Sequence, residues 1–174
     1  APGRPGRRRP PRPPPPGAPP GRGGGGPRPR GSAAPVAIAV TVEKGGSLVV
    51  TTPGATRAHV MRSGFAKVRQ RFVGEAGGFL EFAPEVLILQ RDSRLVQDTQ
   101  IEVTPQGELL YLEFIAPGRV ARGELFQFVE FTNRFLGTSQ GKPLAREYYS
   151  LRPDDSSVGP WRNAFRGISQ HWQR

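Results

Sequence analysis

Acids, arginines and threonine hydroxyls are the side chains with chemistry to offer in this chain, which holds no cysteine and two histidines. Without thiols there are no disulfides, thiolate metal ligands or thiol nucleophiles. His59 and His171 sit in separate segments, without the His-x-x-x-His spacing that turns two imidazoles toward one metal, and read as surface groups. Glu81, Glu85 and Glu113 are the candidate acids for a sugar-cleaving enzyme, which needs two carboxyls at a set separation. Nothing in the pattern sets that separation, and no cleft motif or Ser-His-Asp arrangement accompanies them. Gly23 to Gly26 lacks the Gly-Lys-Ser or Gly-Lys-Thr ending of a phosphate loop. Catalysis is therefore the weaker reading, and recognition or scaffolding the stronger.

Three polar strings stand out instead. Thr51-Thr52-Pro53-Gly54-Ala55-Thr56-Arg57 predicts a type II turn, with Pro second and Gly third. Its two leading hydroxyls can cap exposed backbone groups. Met61-Arg62-Ser63-Gly64 follows it. Leu80-Glu81-Phe82-Ala83-Pro84-Glu85 leads to Asp92 and Arg94, at a strand end and the loop behind it. Those charges read either as a solvated loop with a surface ion pair, worth ~0–1 kcal/mol, or as groups facing a partner. Finally, Glu113 sits among apolar neighbours ahead of Ala116-Pro117-Gly118-Arg119-Val120-Ala121-Arg122-Gly123-Glu124. An acid in an apolar strand beside two arginines predicts a partly buried charge network, because the guanidinium fork pairs carboxylates bidentately.

The elements that position these strings read as β from Ala33 onward. Val40 and Val42, then Glu43-Lys44-Gly45-Gly46, then Leu48-Val49-Val50 is strand, turn, strand. The unit recurs: Val42, Val73 and Val103 are each followed by a glycine (Gly46, Gly77, Gly107) and then by Leu48, Phe79 and Leu109. Such a period predicts stacked units, each covering the apolar face of the next. Leu110, Leu112 and Phe114 alternate with Tyr111, Glu113 and Ile115. Leu125, Val129, Phe131 and Phe135 share a predicted strand face, Gly137 to Pro143 reads as a turn, and Leu144 to Leu151 as a returning strand. Trp161, Phe165, Ile168 and Trp172 fall on one face of a predicted C-terminal helix. Pro160 suits its first turn. The expected fold is mainly β: stacked sheets in a β-helix-like repeat, with that helix at the end.

The formal net charge of +11 is unevenly spread. Residues 1–30 hold eight arginines and no acid, and the remainder holds 17 basic and 14 acidic residues, which leaves +3. Residues 1–32 read as a disordered Pro/Gly/Arg-rich segment and 33–174 as the β domain. Two origins for the first segment stand side by side: a natural basic arm, or GC-rich sequence read out of frame, since Pro, Gly, Arg and Ala share codons beginning with G and C. An arm would bind RNA or DNA non-specifically through phosphates. No aromatic residue interleaves with its arginines to stack on bases, and nucleic acid is not the expected partner. No apolar run reaches the roughly 18 residues of a membrane span.

In order and spacing, the three strings resemble the urease accessory protein family UreD, also called UreH. The resemblance covers about half of the chain, from Ser47 to Phe135. It implies a mainly β fold with a helical layer, no enzymatic activity and a cytoplasmic location. It also implies a role in delivering nickel to urease. The implied partners are the urease apoprotein, a UreF-like helical protein and, through it, a UreG-like GTPase. The resemblance implies partner-binding or metal-passage roles for Thr51, Thr52, Arg57, Arg62, Glu85, Asp92, Arg94, Glu113, Arg119, Arg122 and Glu124. No tightly bound cofactor is expected, and nickel would be held only transiently by carboxylate oxygens. Family members are longer, so the β domain is expected to be incomplete at its C-terminus.

Overall fold

The computed structural model describes residues 35–155 and Gly159. The expected disorder of residues 1–32 and the expected helix over Trp161–Trp172 fall outside them. Three turns of chain coil into a solenoid. Its first turn is β1 (Val36–Val42), β2 (Ser47–Val50) and β3 (Thr56–Ala58). The second is β4 (Ala66–Gly74), β5 (Phe79–Phe82) and β6 (Leu87–Leu89), and the third β7 (Arg94–Val103), β8 (Glu108–Tyr111) and β9 (Ile115–Ala116). β10 (Glu130–Ser139) begins a further layer and β11 (Lys142–Leu151) folds back on it. Corresponding strands stack in parallel into three sheets, β1-β4-β7-β10-β11, β2-β5-β8 and β3-β6-β9, and of the described strand pairs β10–β11 alone is antiparallel. No helix among the described residues is long and apolar enough to cross a membrane.

The repeat is real, and its register differs from the sequence reading. Val42 aligns with Gly74 and Val103, and Leu48 with Leu80 and Leu109. The turn glycines that stack are Gly46, Gly78 and Gly107, each donating its N–H three residues back, to the carbonyls of Glu43, Glu75 and Thr104. The left-handed position before them is Gly45, Gly77 and then Gln106 (φ 70°, 66° and 67°). The Gly77-Gly78 doublet hid the one-residue offset, and Gln106 hid the third copy of the left-handed position. One residue matters because side chains alternate: Leu80 is fully buried, whereas Phe79 faces outward, half-buried.

The interior has two apolar clusters, Val42, Phe72, Leu80, Phe82 and Ile101 on one side and Ala58, Leu87, Leu89, Leu95, Phe128 and Phe131 on the other. A polar layer runs between them. Thr99 and Tyr111 both donate to Gln70 Oε1, at 3.1 and 3.0 Å, and the Gln97 side-chain amide donates to Glu113 Oε1. Phe82 stacks on Tyr111, with ring centroids 5.5 Å apart.

Three local expectations change. β10 starts only at Glu130; Phe126 is left-handed (φ 55°), so residues 117–129 form a corner, and Phe131, Asn133 and Phe135 face inward. The hairpin turn is just Gln140-Gly141, both left-handed (φ 49° and 72°), as a tight two-residue connection requires. β8 ends at Tyr111, which leaves Phe114 exposed in the next corner.

A Cβ on Gly107 would stand 2.8 Å from the carbonyl oxygens of both Gly74 and Glu75. Gly107→Ala is expected to cost about 1–3 kcal/mol by overpacking, read as a lowered urea midpoint. Gly54→Ala, with open space around it, is expected to leave the midpoint within about 0.5 kcal/mol of the parent.

Candidate functional site

The residues given partner-binding or metal-passage roles fall on the β3-β6-β9 sheet and the two corners that flank it, with Arg94 beside them at the start of β7, whereas the candidate acid Glu81 lies on β5. One corner stacks 51–55, 83–86 and 112–114, and so carries Thr51, Thr52, Glu85 and Glu113. The other stacks 59–65, 90–93 and 117–129, and carries Arg62, Asp92, Arg119, Arg122 and Glu124, with Arg94 opening β7 beside it. Arg57 lies on β3 itself, in register with Ile88 and Ala116. Segments as far apart as Thr51 and Glu124 therefore share one side of the solenoid because the coil returns there on every turn.

In the first corner the Thr52 hydroxyl accepts the Glu85 N–H at 2.9 Å, tying one turn to the next. Thr51, Pro53 and Gly54 are exposed. Gly54 is not left-handed, so the predicted type II turn does not form; residues 53–54 make an open bend. Glu113 points into the polar layer. Burial pushes its carboxyl above the usual range, and the Gln97 amide and Tyr111 hydroxyl oppose that while Glu147 reinforces it. No ion pair joins it to Arg119 or Arg122 among the described residues.

The expected guanidinium fork forms elsewhere. Arg119 Nε and Nη2 donate to the two oxygens of Glu124 at 2.6 and 2.5 Å. This clasp closes the loop around the single 3-10 turn Val120–Arg122, after which Gly123 turns left-handed (φ 66°). Gly118 (φ 144°) passes so near the Glu124 carbonyl that a Cβ would sit 2.0 Å from it. The Gly-Arg-x-Ala-x-Gly-Glu pattern thus has a conformational reason at four of its positions. The hydrogen bonds from Arg119 hold the Glu124 carboxyl below the usual range against the opposing effect of burial, and Arg91 adds to them through charge and backbone.

Asp92 is exposed and left-handed (φ 57°), and its backbone accepts the Met61 N–H and donates to Gln127. The anticipated ion pair between the loop charges is not formed: Arg91 donates to Gln127 Oε1 instead, and Arg94 Nε is buried without a hydrogen-bond partner among the described residues. Arg57, Arg62 and Arg122 are exposed and make no ion pair there. Among the described residues, no three His, Asp or Glu side chains gather as a metal-holding group.

Sequence reasoning missed the interior polar layer of Gln70, Gln97, Thr99 and Asn133. Its signal was present: Leu95, Gln97, Thr99 and Ile101 alternate along β7 and are all buried.

Because Glu124 has a lowered native pKa, its stabilisation is complete above the ordinary carboxylate pKa, about 4.3, and is lost as pH falls through the native value. Glu124→Gln is expected to melt lower than the parent at neutral pH, with the gap narrowing in acid. Glu113, raised, has the opposite sign: stability falls as pH rises from the ordinary value through the native one. Glu113→Gln is expected to melt at or above the parent at alkaline pH and to lose that advantage in acid; thermal melts across pH read both.

The UreD urease accessory protein family model matches residues 35–169. A urease accessory protein UreD of Yersinia enterocolitica is 39% identical over 132 residues, covering 71% of this chain and 41% of its own length. The Yersinia pestis bv. Antiqua protein is 37% identical over 126 residues, covering 71% and 46%. That of Yersinia pseudotuberculosis serotype O:1b is 37% identical over 126 residues, covering 71% and 39%. The chain spans less than half the length of these curated relatives.

Proposed function

The chain belongs to the UreD urease accessory protein family, and from that membership we propose that it acts as a non-enzymatic scaffold in urease maturation. In this reading it docks on the urease apoprotein and, with a UreF-like helical protein and a UreG-like GTPase, helps to hand nickel to the urease active site. Nickel is cargo here, held briefly by oxygen ligands that it can leave again. The working surface is the β3-β6-β9 sheet with its two corners.

The observation that carries the reading is the convergence of the three strings on that one side. The strings divide their labour there. Thr52, Arg119 and Glu124 hold the corners in shape. Arg57, Arg62 and Arg122 stand free of ion pairs among the described residues, with Glu85 and Asp92 exposed beside them. Arginine suits such a surface because its planar fork pairs a partner's carboxylates with fixed geometry.

The test grafts residues 35–169 in place of the matching region of the Yersinia enterocolitica relative. Nickel-dependent urease activity is then measured in a host whose own copy of the relative is deleted. The graft is expected to restore activity. Arg57→Glu combined with Arg122→Glu is expected to lower it about tenfold, the effect of losing ~1.4 kcal/mol of docking energy, while the graft's melting temperature stays unchanged. Full activity in the double variant would move the docking surface to another face. A soluble, folded graft without activity would separate family membership from the accessory role.

A further inference from the structure

The outer face of the β1-β4-β7-β10-β11 sheet is cationic. Side chains alternate along each strand, and Phe72, Leu95, Thr99 and Phe131 face the core. Lys67, Arg69 and Arg71 of β4, Asp98, Gln100 and Glu102 of β7, and Arg134 of β10 therefore face outward. Arg146 and Tyr148 of β11 lie opposite Leu136 and Arg134 and join them. Five basic side chains thus stand against two acids. That surplus of three equals the net charge of everything after residue 30.

Register sets these groups in rows across the strands. One row is Ala37, Arg69, Asp98, Arg134 and Tyr148, and the next is Ala39, Arg71, Gln100, Leu136 and Arg146. The short alanine side chains of β1 leave one end open: Ala37, Ala39, Arg69 and Arg71 line a depression of about 470 Å³. Arg134, Arg146 and Tyr148 line a second, of about 310 Å³, and both depressions reach Asp98 and Gln100. Together they form a trough across the sheet with arginines towards both ends, about 14 Å apart from β4 to β11 at ordinary strand spacing.

The charges of this face are only partly neutralised. Arg134 pairs with Asp98 at 3.4 Å and Arg71 with Glu102 at 3.3 Å. Exposed pairs of this kind are worth ~0–1 kcal/mol. Lys67, Arg69 and Arg146 are exposed and make no ion pair among the described residues.

We propose that this trough docks an acidic segment of a partner protein, on a face separate from the β3-β6-β9 side. The guanidinium forks of Arg69 and Arg146 take its carboxylates bidentately, and the opposite sign of charge steers and registers the encounter. Two features select a protein over a nucleic acid. Asp98 and Glu102 stand between the cations, where a phosphate backbone would meet like charge, whereas a polypeptide has amide and basic donors to offer them. Tyr148 is also the one aromatic ring in the two rows, and stacking along a nucleic-acid strand uses successive rings.

The lysines supply the test. The chain has three, Lys44, Lys67 and Lys142, and residues 1–30 hold none. All three are exposed. Lys67 lies on the outer face two residues before Arg69, Lys44 in the turn between β1 and β2, and Lys142 at the β10–β11 hairpin. A carbodiimide joins a carboxylate to an amine only where the two touch, so an anion held by the N-terminal arginines marks no lysine there. The whole chain is treated with carbodiimide and an N-acetylated decaglutamate peptide, and coupling at each lysine is read by mass spectrometry. Lys67 is expected to couple severalfold more than Lys44 or Lys142. Arg69→Glu with Arg146→Glu is expected to bring Lys67 down to their level at an unchanged melting temperature. Arg57→Glu with Arg122→Glu, the same charge change on the other side, is expected to leave Lys67 coupling as in the parent. Equal coupling at the three lysines of the parent would overturn the proposal. So would Lys67 coupling that survives the first pair of substitutions, or that is lost equally in the second. Ultraviolet crosslinking of oligouridylate to the Tyr148 peptide would give the face to nucleic acid and overturn it as well.

Discussion

Parallel stacking of successive turns is the constraint on which everything else rests. A strand of one turn has its backbone groups satisfied only by the strands above and below it, because no hairpin partner exists within a turn. Side chains must then line up in columns, and a column tolerates only residues that pack on their own equivalents one layer away. Phe72 and Phe82 satisfy this by packing on Tyr111 of the next layer, as well as on each other within their own turn. Gly78 and Gly107 satisfy it by having no side chain where one turn's backbone rides over the carbonyls of the turn before, and Gly46 by having none over the Glu43 carbonyl of its own turn.

The same constraint explains how the polar interior survives. Gln70 of the second turn meets Thr99 and Tyr111 of the third in one network, and Gln97 and Glu113, both of the third turn, pair in another. Buried polar groups are tolerated when so satisfied. The layer divides the core into two apolar clusters. On β10 the Asn133 side chain meets Tyr149 of β11, while its Oδ1 has no hydrogen-bond partner among the described residues. Among the described residues, the sheet of β7 continues through β10 and β11, and the other two reach β8 and β9.

Stacking also converts sequence distance into spatial proximity. The corners flanking β3-β6-β9 collect one string from each turn, which no local element could do. Within them, groups with internal partners and groups without are separated. The Arg119–Glu124 clasp and the Thr52 hydroxyl are used up holding the loops, whereas Arg57, Arg62 and Arg122 project without ion pairs among the described residues. A family pattern can thus mix residues kept for shape with residues free to meet a partner, and only contacts distinguish them.

Much was legible in the sequence alone. Period-two alternation, recurrent glycine turns and a repeat of about thirty residues specify stacked β units, because each follows from local geometry: the pleat, the left-handed turn and the identical need of each layer. The three motif strings and their order were equally plain. Register was not, since Gly77-Gly78 offers two equivalent turn positions and only pairing with Gly46 and Gly107 chooses between them. Nor was the fate of the charges. Glu113 took an amide partner and Arg119 took Glu124, because which carboxylate lies within reach of a fork depends on how the corner closes around Gly118. Local periodicity is written residue by residue. Partner choice between distant side chains is settled only when the coil brings them to the same layer.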